Sequence, residues 1–442
     1  MSGCFLVSLD STIVATACPR IVSDLGDPDW YSWIAGGYLL GSAVIMPLAG
    51  RLIDLMNGRR VLMVATLVFL VASALCAAAK SLPVLVAWRV VQGVGGGAMM
   101  AVTLGLVGLL YAPTERGTVT ALYGVVLGVS SVLGPLLGGL LTDHLSWHWV
   151  FLVNLPIGAF SLDFLRRGMP DLVPEGQGRL DMLGSALLLC ASVPLLLALS
   201  GEGASHPLAT VRGQMLVGGA LVASVLFVAV ERRVESPLFD LALLGNRVFT
   251  QATIASATAS GAYIGAVLFL PLYLVKARGM SATWSGMALT PVVLGLVVGS
   301  TLVGQALRRI RRCRPVLVLG GLLALPALVV LRAQLADQPS FTFIVTAMVV
   351  IGFSFGLMMT TFPIAVQGAV ERARMGTATS FMQFIRTMGQ TAALCLMGSL
   401  ISDGDAAALV SGMRAVFTCS IVLVGVGLVL VLPMPDPELG ER

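Results

Sequence analysis

Gly50-Arg51-Leu52-Ile53-Asp54-Leu55-Met56-Asn57-Gly58-Arg59-Arg60 is a compact charged loop between two long apolar runs. A degraded echo opens at Gly304, 254 residues later, and ends in Arg308-Arg309-Ile310-Arg311-Arg312. Two more pairs recur at similar offsets. Trp33-Ile34-Ala35-Gly36 is matched by Trp284-Ser285-Gly286 after 251 residues, and Glu115-Arg116-Gly117-Thr118 by Arg374-Met375-Gly376-Thr377 after 259. Short polar signatures repeated at one spacing indicate an internal duplication; chance likeness between apolar helices is the competing reading of the offsets taken alone.

Composition fixes the solvent of the fold. The 442 residues are 57% hydrophobic and 11% charged, against about 25% charged in soluble domains. The chain therefore reads as an all-α polytopic membrane protein. A helix needs about 20 apolar residues to cross a ~30 Å hydrocarbon core. Fourteen such runs are expected, near 3–19, 33–53, 61–79, 83–110, 119–141, 148–166, 181–200, 214–231, 249–275, 284–307, 315–332, 341–362, 377–401 and 415–432. An offset of about 254 residues exceeds a six-span half and fits a half plus two spans. The expected organisation is a six-helix half over 1–166, an inserted two-helix segment with linkers over 167–248, and a second six-helix half over 249–442. The first run is not expected to be a cleaved signal peptide, because no basic stretch precedes it and Asp10 interrupts it.

The net charge of +5 is unevenly distributed. Alternate loops collect Arg51, Arg59, Arg60, Arg116, Arg166, Arg167, Arg179 and the run from Arg308 to Arg314, whereas the others carry isolated cations such as Arg20, Lys80 and Arg212. By the positive-inside rule both termini lie in the cytoplasm. The 308–314 cluster reads as a topology anchor touching anionic lipid. No long basic domain or aromatic-interleaved patch is present, which argues against nucleic-acid binding. The seven cysteines lack paired spacing and read as packing residues, and His144, His148 and His206 fall at outer loops or helix ends, so no metal site is expected.

Two charges are costly where they stand. Asp10 lies mid-run, where an ionised side chain costs about 2.5–3.5 kcal/mol on insertion scales. An apolar setting favours the neutral acid and a nearby cation favours the carboxylate, a competition that lets a carboxyl take up and release a proton. Asp10 is thus a candidate for proton coupling or for recognising a cation, the alternative being a hydrogen-bonded packing residue. Arg89 has no neutral form available and needs an acceptor: Asp10, a backbone carbonyl or a substrate. Snorkelling toward the outer face is its other reading. In the later half, Gln383, Arg386 and Gln390 share one helix face, either lining a cavity or making structural hydrogen bonds. Tyr38, Gln92, Tyr123 and Tyr263 are further cavity candidates. In the 50–60 loop, Asp54 can cap or pair while Arg59 and Arg60 open the next helix; a tight turn with topology charges is the plainer reading. Gly124, Gly128, Gly134, Gly138 and Gly139 permit close helix approach, and Pro135 removes a backbone donor and permits a kink.

Five motifs in order carry a resemblance over essentially the whole chain: Leu9-Asp10-Ser11-Thr12 through Pro19-Arg20-Ile21, the 50–60 loop, Trp88-Arg89-Val90-Val91-Gln92-Gly93, Gly124 through Gly139, and Trp147-His148-Trp149 through Asn154-Leu155-Pro156. Together they resemble the major facilitator superfamily, and specifically its fourteen-span drug:proton antiporter branch. Cys18, Leu55 and His148 depart from the usual leucine, arginine and arginine. The resemblance implies that Asp10 and Arg89 serve proton coupling. It implies that Gly50, Asp54, Gly58, Arg59 and Arg60 form a latch between the halves, and that the 124–139 glycines with Pro135 seal one entrance against proton leak. The implied function is multidrug efflux: export of lipophilic or amphipathic small molecules in exchange for protons, by a monomer in the cell membrane, driven by the proton gradient with no cofactor. A dedicated exporter of one antibiotic or metabolite is the alternative, and a non-transporting sensor a further one.

Enzyme readings fare worse. The only lysines, Lys80 and Lys276, lie in no phosphate-binding loop. Gly352-Phe353-Ser354-Phe355-Gly356 has the spacing of a nucleophile elbow but lies inside an apolar helix with no preceding strand.

Overall fold

A computed structural model describes residues 1–26, 31–111, 113–171, 181–199, 210–234, 237, 239, 241–276, 290–335, 340–371, 374–398, 400–401 and 406–436. Among these the chain is helical, without a strand. The order is α1 (Ser2–Leu25), α2 (Tyr31–Leu55), α3 (Gly58–Ala77), α4 (Leu82–Leu110), α5 (Pro113–His144), a short α6 (His148–Leu152) leading into α7 (Asn154–Gly168), α8 (Met182–Leu199) and α9 (Val211–Glu231). A 3-10 turn (Leu241–Gly245) precedes α10 (Arg247–Lys276), α11 (Thr290–Ile310), α12 (Arg314–Gln334), α13 (Phe341–Gly368), α14 (Met375–Gly398) and α15 (Ala406–Val431). The Trp284 echo lies outside the described residues.

Helices prevail because hydrocarbon offers no partner for a backbone amide, so each must bond within its own segment. Ten helices among the described residues are long and apolar enough to cross a membrane. The apolar stretches of α1 and α8, Ser2–Cys18 and Leu183–Leu195, are shorter. Helices α5 and α14 are long but rich in Gly, Ser and Thr, with Gln383 and Gln390 besides in α14, the composition of helices turned toward other helices. Large apolar side chains such as Phe160, Phe164, Met215, Val225 and Val429 stay exposed on the outer faces, as a lipid-facing surface requires. Side-chain caps start α3, α9 and α13: Asn57 accepts from the Arg59 amide at 3.0 Å, Thr210 from Gly213 at 3.1 Å and Ser340 from Phe343 at 3.3 Å.

Helices α1 to α7 pack mainly among themselves, as do α10 to α15, and α8 and α9 pair with each other. The two groups meet where α5 lies on α11 and α2 on α14, and α8 touches both α2 and α14. One packing device recurs in both groups. A Cβ on Gly41 would strike the Val90 carbonyl, and one on Gly93 or Gly97 the carbonyl of Tyr38 or Ser42, so α2 and α4 cross backbone to backbone. Helices α11 and α13 do the same at Gly295, Gly352 and Gly356, against the carbonyls of Val349, Val292 and Leu296. Gly41 and Gly295 are 254 residues apart, and Gly93 and Gly352, like Gly97 and Gly356, are 259 apart. The offsets of the sequence repeats are thus the offsets of equivalent helix crossings.

Candidate functional site

Three arrangements stand out, two within or between the helix groups as polar clusters and one as a cavity. The first is a sealed network inside the first group. Asp10 on α1 and Arg89 on α4 are 0% and 1% exposed and form an ion pair, Arg89 Nη1 donating to Asp10 Oδ2 at 2.6 Å. The same nitrogen donates to Gln92 Oε1 at 2.7 Å, and Arg89 Nε donates to the Ile34 carbonyl of α2 at 3.1 Å. Asp10 Oδ1 accepts from Gln92 Nε2 at 2.9 Å and from Asn154 Nδ2 at 2.6 Å. Ser73 of α3 accepts from both amides, at 3.1 and 3.0 Å, and donates to the Phe151 carbonyl at 2.9 Å. The Arg89 guanidinium lies over the Tyr38 ring, 4.4 Å from its centroid. A buried ion pair persists only when its remaining donors and acceptors are also met, and here α1, α2, α3, α4 and α7 all supply partners.

The second arrangement joins the groups at the end of the bundle that carries the 50–60 loop. Asp54, 3% exposed, closes α2, and its carboxylate faces the start of α14. Oδ1 accepts from the Gly376 amide at 3.0 Å, and Oδ2 from the Thr377 amide at 2.8 Å and the Thr377 hydroxyl at 2.5 Å. Asp54 therefore caps a helix belonging to the other group, where orphan amides and the positive end of the helix dipole favour a carboxylate. Close backbone approach accompanies the cap: a Cβ on Gly50 would meet Ser380. Nearby, Gln367 Nε2 of α13 donates to the Leu104 carbonyl of α4 at 3.1 Å.

The loop residues do not act as one unit. Arg59 binds within its own group, its Nη2 donating to the Arg166 carbonyl at 2.6 Å and its Nη1 lying 3.4 Å from Asp171 Oδ1, which also accepts from Asn57 at 2.8 Å. Gly58 is buried at the start of α3, and Arg60 is exposed.

The third arrangement is a cavity of about 250 Å³ between the groups. Its wall includes Ser8, Thr120, Tyr123, Gly124, Gly128, Ser260, Tyr263, Ser300, Met359, Thr360, Arg386 and Gln390. Of the expected cavity residues, Tyr123, Tyr263 and Arg386 line it. Tyr38 and Gln92 belong instead to the Asp10 network: the Arg89 guanidinium lies over the Tyr38 ring of α2, and α4 turns Gln92 toward Asp10 of α1 and Ser73 of α3. Gln383 is 1% exposed and absent from the wall. Asp10 and Arg89 meet each other but do not line the cavity. Ser8 does, and Asp10, two residues on, faces the opposite side of α1.

The glycines of α5 divide by face. A Cβ on Gly124 would meet Ser300, and one on Gly128 would meet Val297, both on α11. A Cβ on Gly134 or Gly138 would strike Thr12 or Thr16 of α1, whereas one on Gly139 would meet nothing within 4 Å. The helix continues through position 135. Asn154 and Ser73 are the partners the sequence reading left out; neither carries a charge that would mark its cost inside an apolar helix. No cluster of three or more His, Cys, Asp or Glu that could hold a metal occurs among the described residues.

Comparison with known proteins fits this geometry. Multidrug resistance protein 3 of Bacillus subtilis (strain 168) is 33% identical over 403 residues, covering 90% of this chain and 77% of that protein. Multidrug transporter protein MdtP of the same strain is 33% identical over 399 residues, covering 90% and 73%. The structure of the proton:xylose symporter XylE bound to 6-bromo-6-deoxy-D-glucose, 14% identical, superposes with a TM-score of 0.70 over 100% of this chain and 95% of that one, a likeness of fold alone. The family model of the Major Facilitator Superfamily matches residues 1–394, and this chain is a member of that superfamily of membrane transporters.

Proposed function

We propose that the chain is a proton-coupled antiporter exporting amphipathic small molecules by alternating access. It acts as a monomer, with fourteen spans and both termini in the cytoplasm. Two six-helix halves, 1–166 and 249–442, flank an inserted α8–α9 segment over 167–248. The observation that carries the proposal is Asp10, a wholly buried carboxyl whose charge is balanced, among the described residues, by Arg89 alone. Protonating Asp10 removes the counter-charge of a guanidinium that keeps its own charge. The pair that ties α1 to α4 then weakens, and α1 bears through Thr12 and Thr16 on the glycines of α5. Helix α5 in turn lines the cavity with Tyr123 and Gly124 and abuts α11. The proton thereby acts on the seam between the halves without entering the substrate cavity.

By the positive-inside rule the Asp54 clamp faces the cytoplasm, so the conformation described has its cytoplasmic end shut. Efflux of several drugs, rather than of one metabolite, is supported by the names of the Bacillus relatives and by the tyrosine and methionine surface of the cavity, which adapts to ligands of differing shape. The test is substrate-dependent proton flux by purified protein in liposomes under an imposed pH gradient, across a panel of dyes and antibiotics. Flux by wild type that disappears in Asp10→Asn is expected; no flux by correctly folded wild type overturns the proposal.

A further inference from the structure

Among the described residues, the wall of the cavity between the halves holds one charged side chain, Arg386, and no carboxylate. The acid nearest in sequence to a wall residue, Asp10, is fully committed elsewhere: Oδ1 accepts from Gln92 and Asn154 and Oδ2 from Arg89. Arg386 is in a different position. Among the described residues it enters no ion pair. Its guanidinium lies beside the Tyr123 hydroxyl and 4.0 Å from the Met359 sulfur, too far for a strong bond. The Tyr123 hydroxyl itself donates to Met100 Sδ at 3.2 Å, which leaves its lone pairs for the guanidinium. Gln390, one turn along α14, adds an amide to the same wall.

A guanidinium offers five donors in a planar fork that matches a carboxylate or sulfonate, and its field in a partly dehydrated cavity disfavours a second cation. We propose that the cavity selects amphipathic small molecules carrying an anionic group, Arg386 reading the charge while the apolar wall of Leu104, Leu127 and Leu296 takes the hydrophobic body. The inference rests on the reading of this cavity as the transport site. Carboxylates and sulfonates share the chemistry; a permanently cationic dye finds no counter-ion among the described wall residues.

The test uses the full chain in lipid nanodiscs and three probes of one shape: 1-naphthoate, 1-naphthamide and 1-naphthylmethylammonium, titrated by calorimetry. Wild type is expected to bind naphthoate at least about tenfold more tightly than the ammonium compound, with the amide between, a gap that one favourable charge contact supplies. Arg386→Gln should bring all three together and Arg386→Lys should keep part of the preference, with melting curves verifying the fold. Should Arg386→Gln not fold, the wild-type ranking and the Lys variant decide. Equal or tighter binding of the ammonium compound, a naphthoate preference that survives Arg386→Gln, or no saturable naphthoate binding overturns the proposal. Proton flux driven by cationic dyes without any preference for anions removes the charge selectivity and leaves antiport standing. Arg386-dependent naphthoate binding without proton flux does the reverse.

Discussion

Asp54→Asn should open the end of the bundle that carries the 50–60 loop. The carboxylate accepts the amides of Gly376 and Thr377 and the Thr377 hydroxyl, and is 3% exposed. Asparagine keeps one acceptor oxygen but turns an amino group toward a backbone N–H, and it loses the charge that the start of α14 favours. Hydrogen bonds to charged groups contribute about 1.5–3 kcal/mol net, and the helix-dipole contribution adds about 0.3–1 kcal/mol. A shift of roughly 2–3 kcal/mol toward the open state corresponds to about 30- to 150-fold in the equilibrium. A clamp closed roughly ten to one would fall to about one to three at the lower figure. Thr377→Val removes only the hydroxyl contact and should shift the balance by about 1.5 kcal/mol, roughly tenfold. The assay is electron–electron distance measurement between nitroxides at Met56 and Glu371, exposed sites on the two halves, in a cysteine-depleted background. The long-distance population should grow in the order wild type, Thr377→Val, Asp54→Asn, while transport slows and substrate affinity is largely kept. An unchanged distance distribution in folded Asp54→Asn, or losses of rate and affinity in equal measure, would refute the reasoning.

Other consequences follow from the buried network and from α5. Asp10→Asn should cost about 3–5 kcal/mol of stability by leaving Arg89 without its counter-charge; adding Arg89→Gln should recover the melting temperature but not proton flux. Arg89→Lys should fail in proton-coupled transport, since an ammonium has no counterpart to the Nε that reaches the Ile34 carbonyl while Nη1 holds Asp10 and Gln92; wild-type coupling in that variant would deny the guanidinium its special role. Asn154→Ala should cost about 1–3 kcal/mol through the bonds lost at Asp10 and Ser73, and a melting temperature equal to wild type would contradict the network. Gly134→Leu should abolish transport, because Thr12 occupies the space of even its Cβ; normal uptake kinetics would remove α5 from the mechanism.

Much of this site was legible because charge is conspicuous in an apolar chain. Asp10 and Arg89 stood out by their cost, although the acceptor for Arg89 stayed open among an acid, a carbonyl and a substrate; the structure supplies both Asp10 and the Ile34 carbonyl. Asn154 and Ser73 were not legible, since a neutral amide and a hydroxyl are tolerated in many helices and only proximity reveals their use. Asp54 and Arg59 sit five residues apart in one loop and read alike, yet the chain turns between them. Asp54 ends α2, which faces α14, and Arg59 opens α3, which packs on α7. The repeats disclosed duplication without disclosing that a loop of one half docks on the Gly-Thr pair of the other.

That docking occurs twice, and the two instances differ in chemistry. Asp54 meets Gly376 and Thr377, and the corresponding contact sets Gly304 against Gly117 and Thr118. Position 308, 254 residues after Asp54, is an arginine, so the second junction repeats the shape of the first without its carboxylate. Parting α2 from α14 breaks charge-assisted bonds, whereas sliding α5 along α11 moves glycine over backbone. The bundle is built like a door, with a bolt on one edge and a hinge on the other. On the alternating-access mechanism proposed above, rocking about the α5–α11 edge is the motion this difference in chemistry favours.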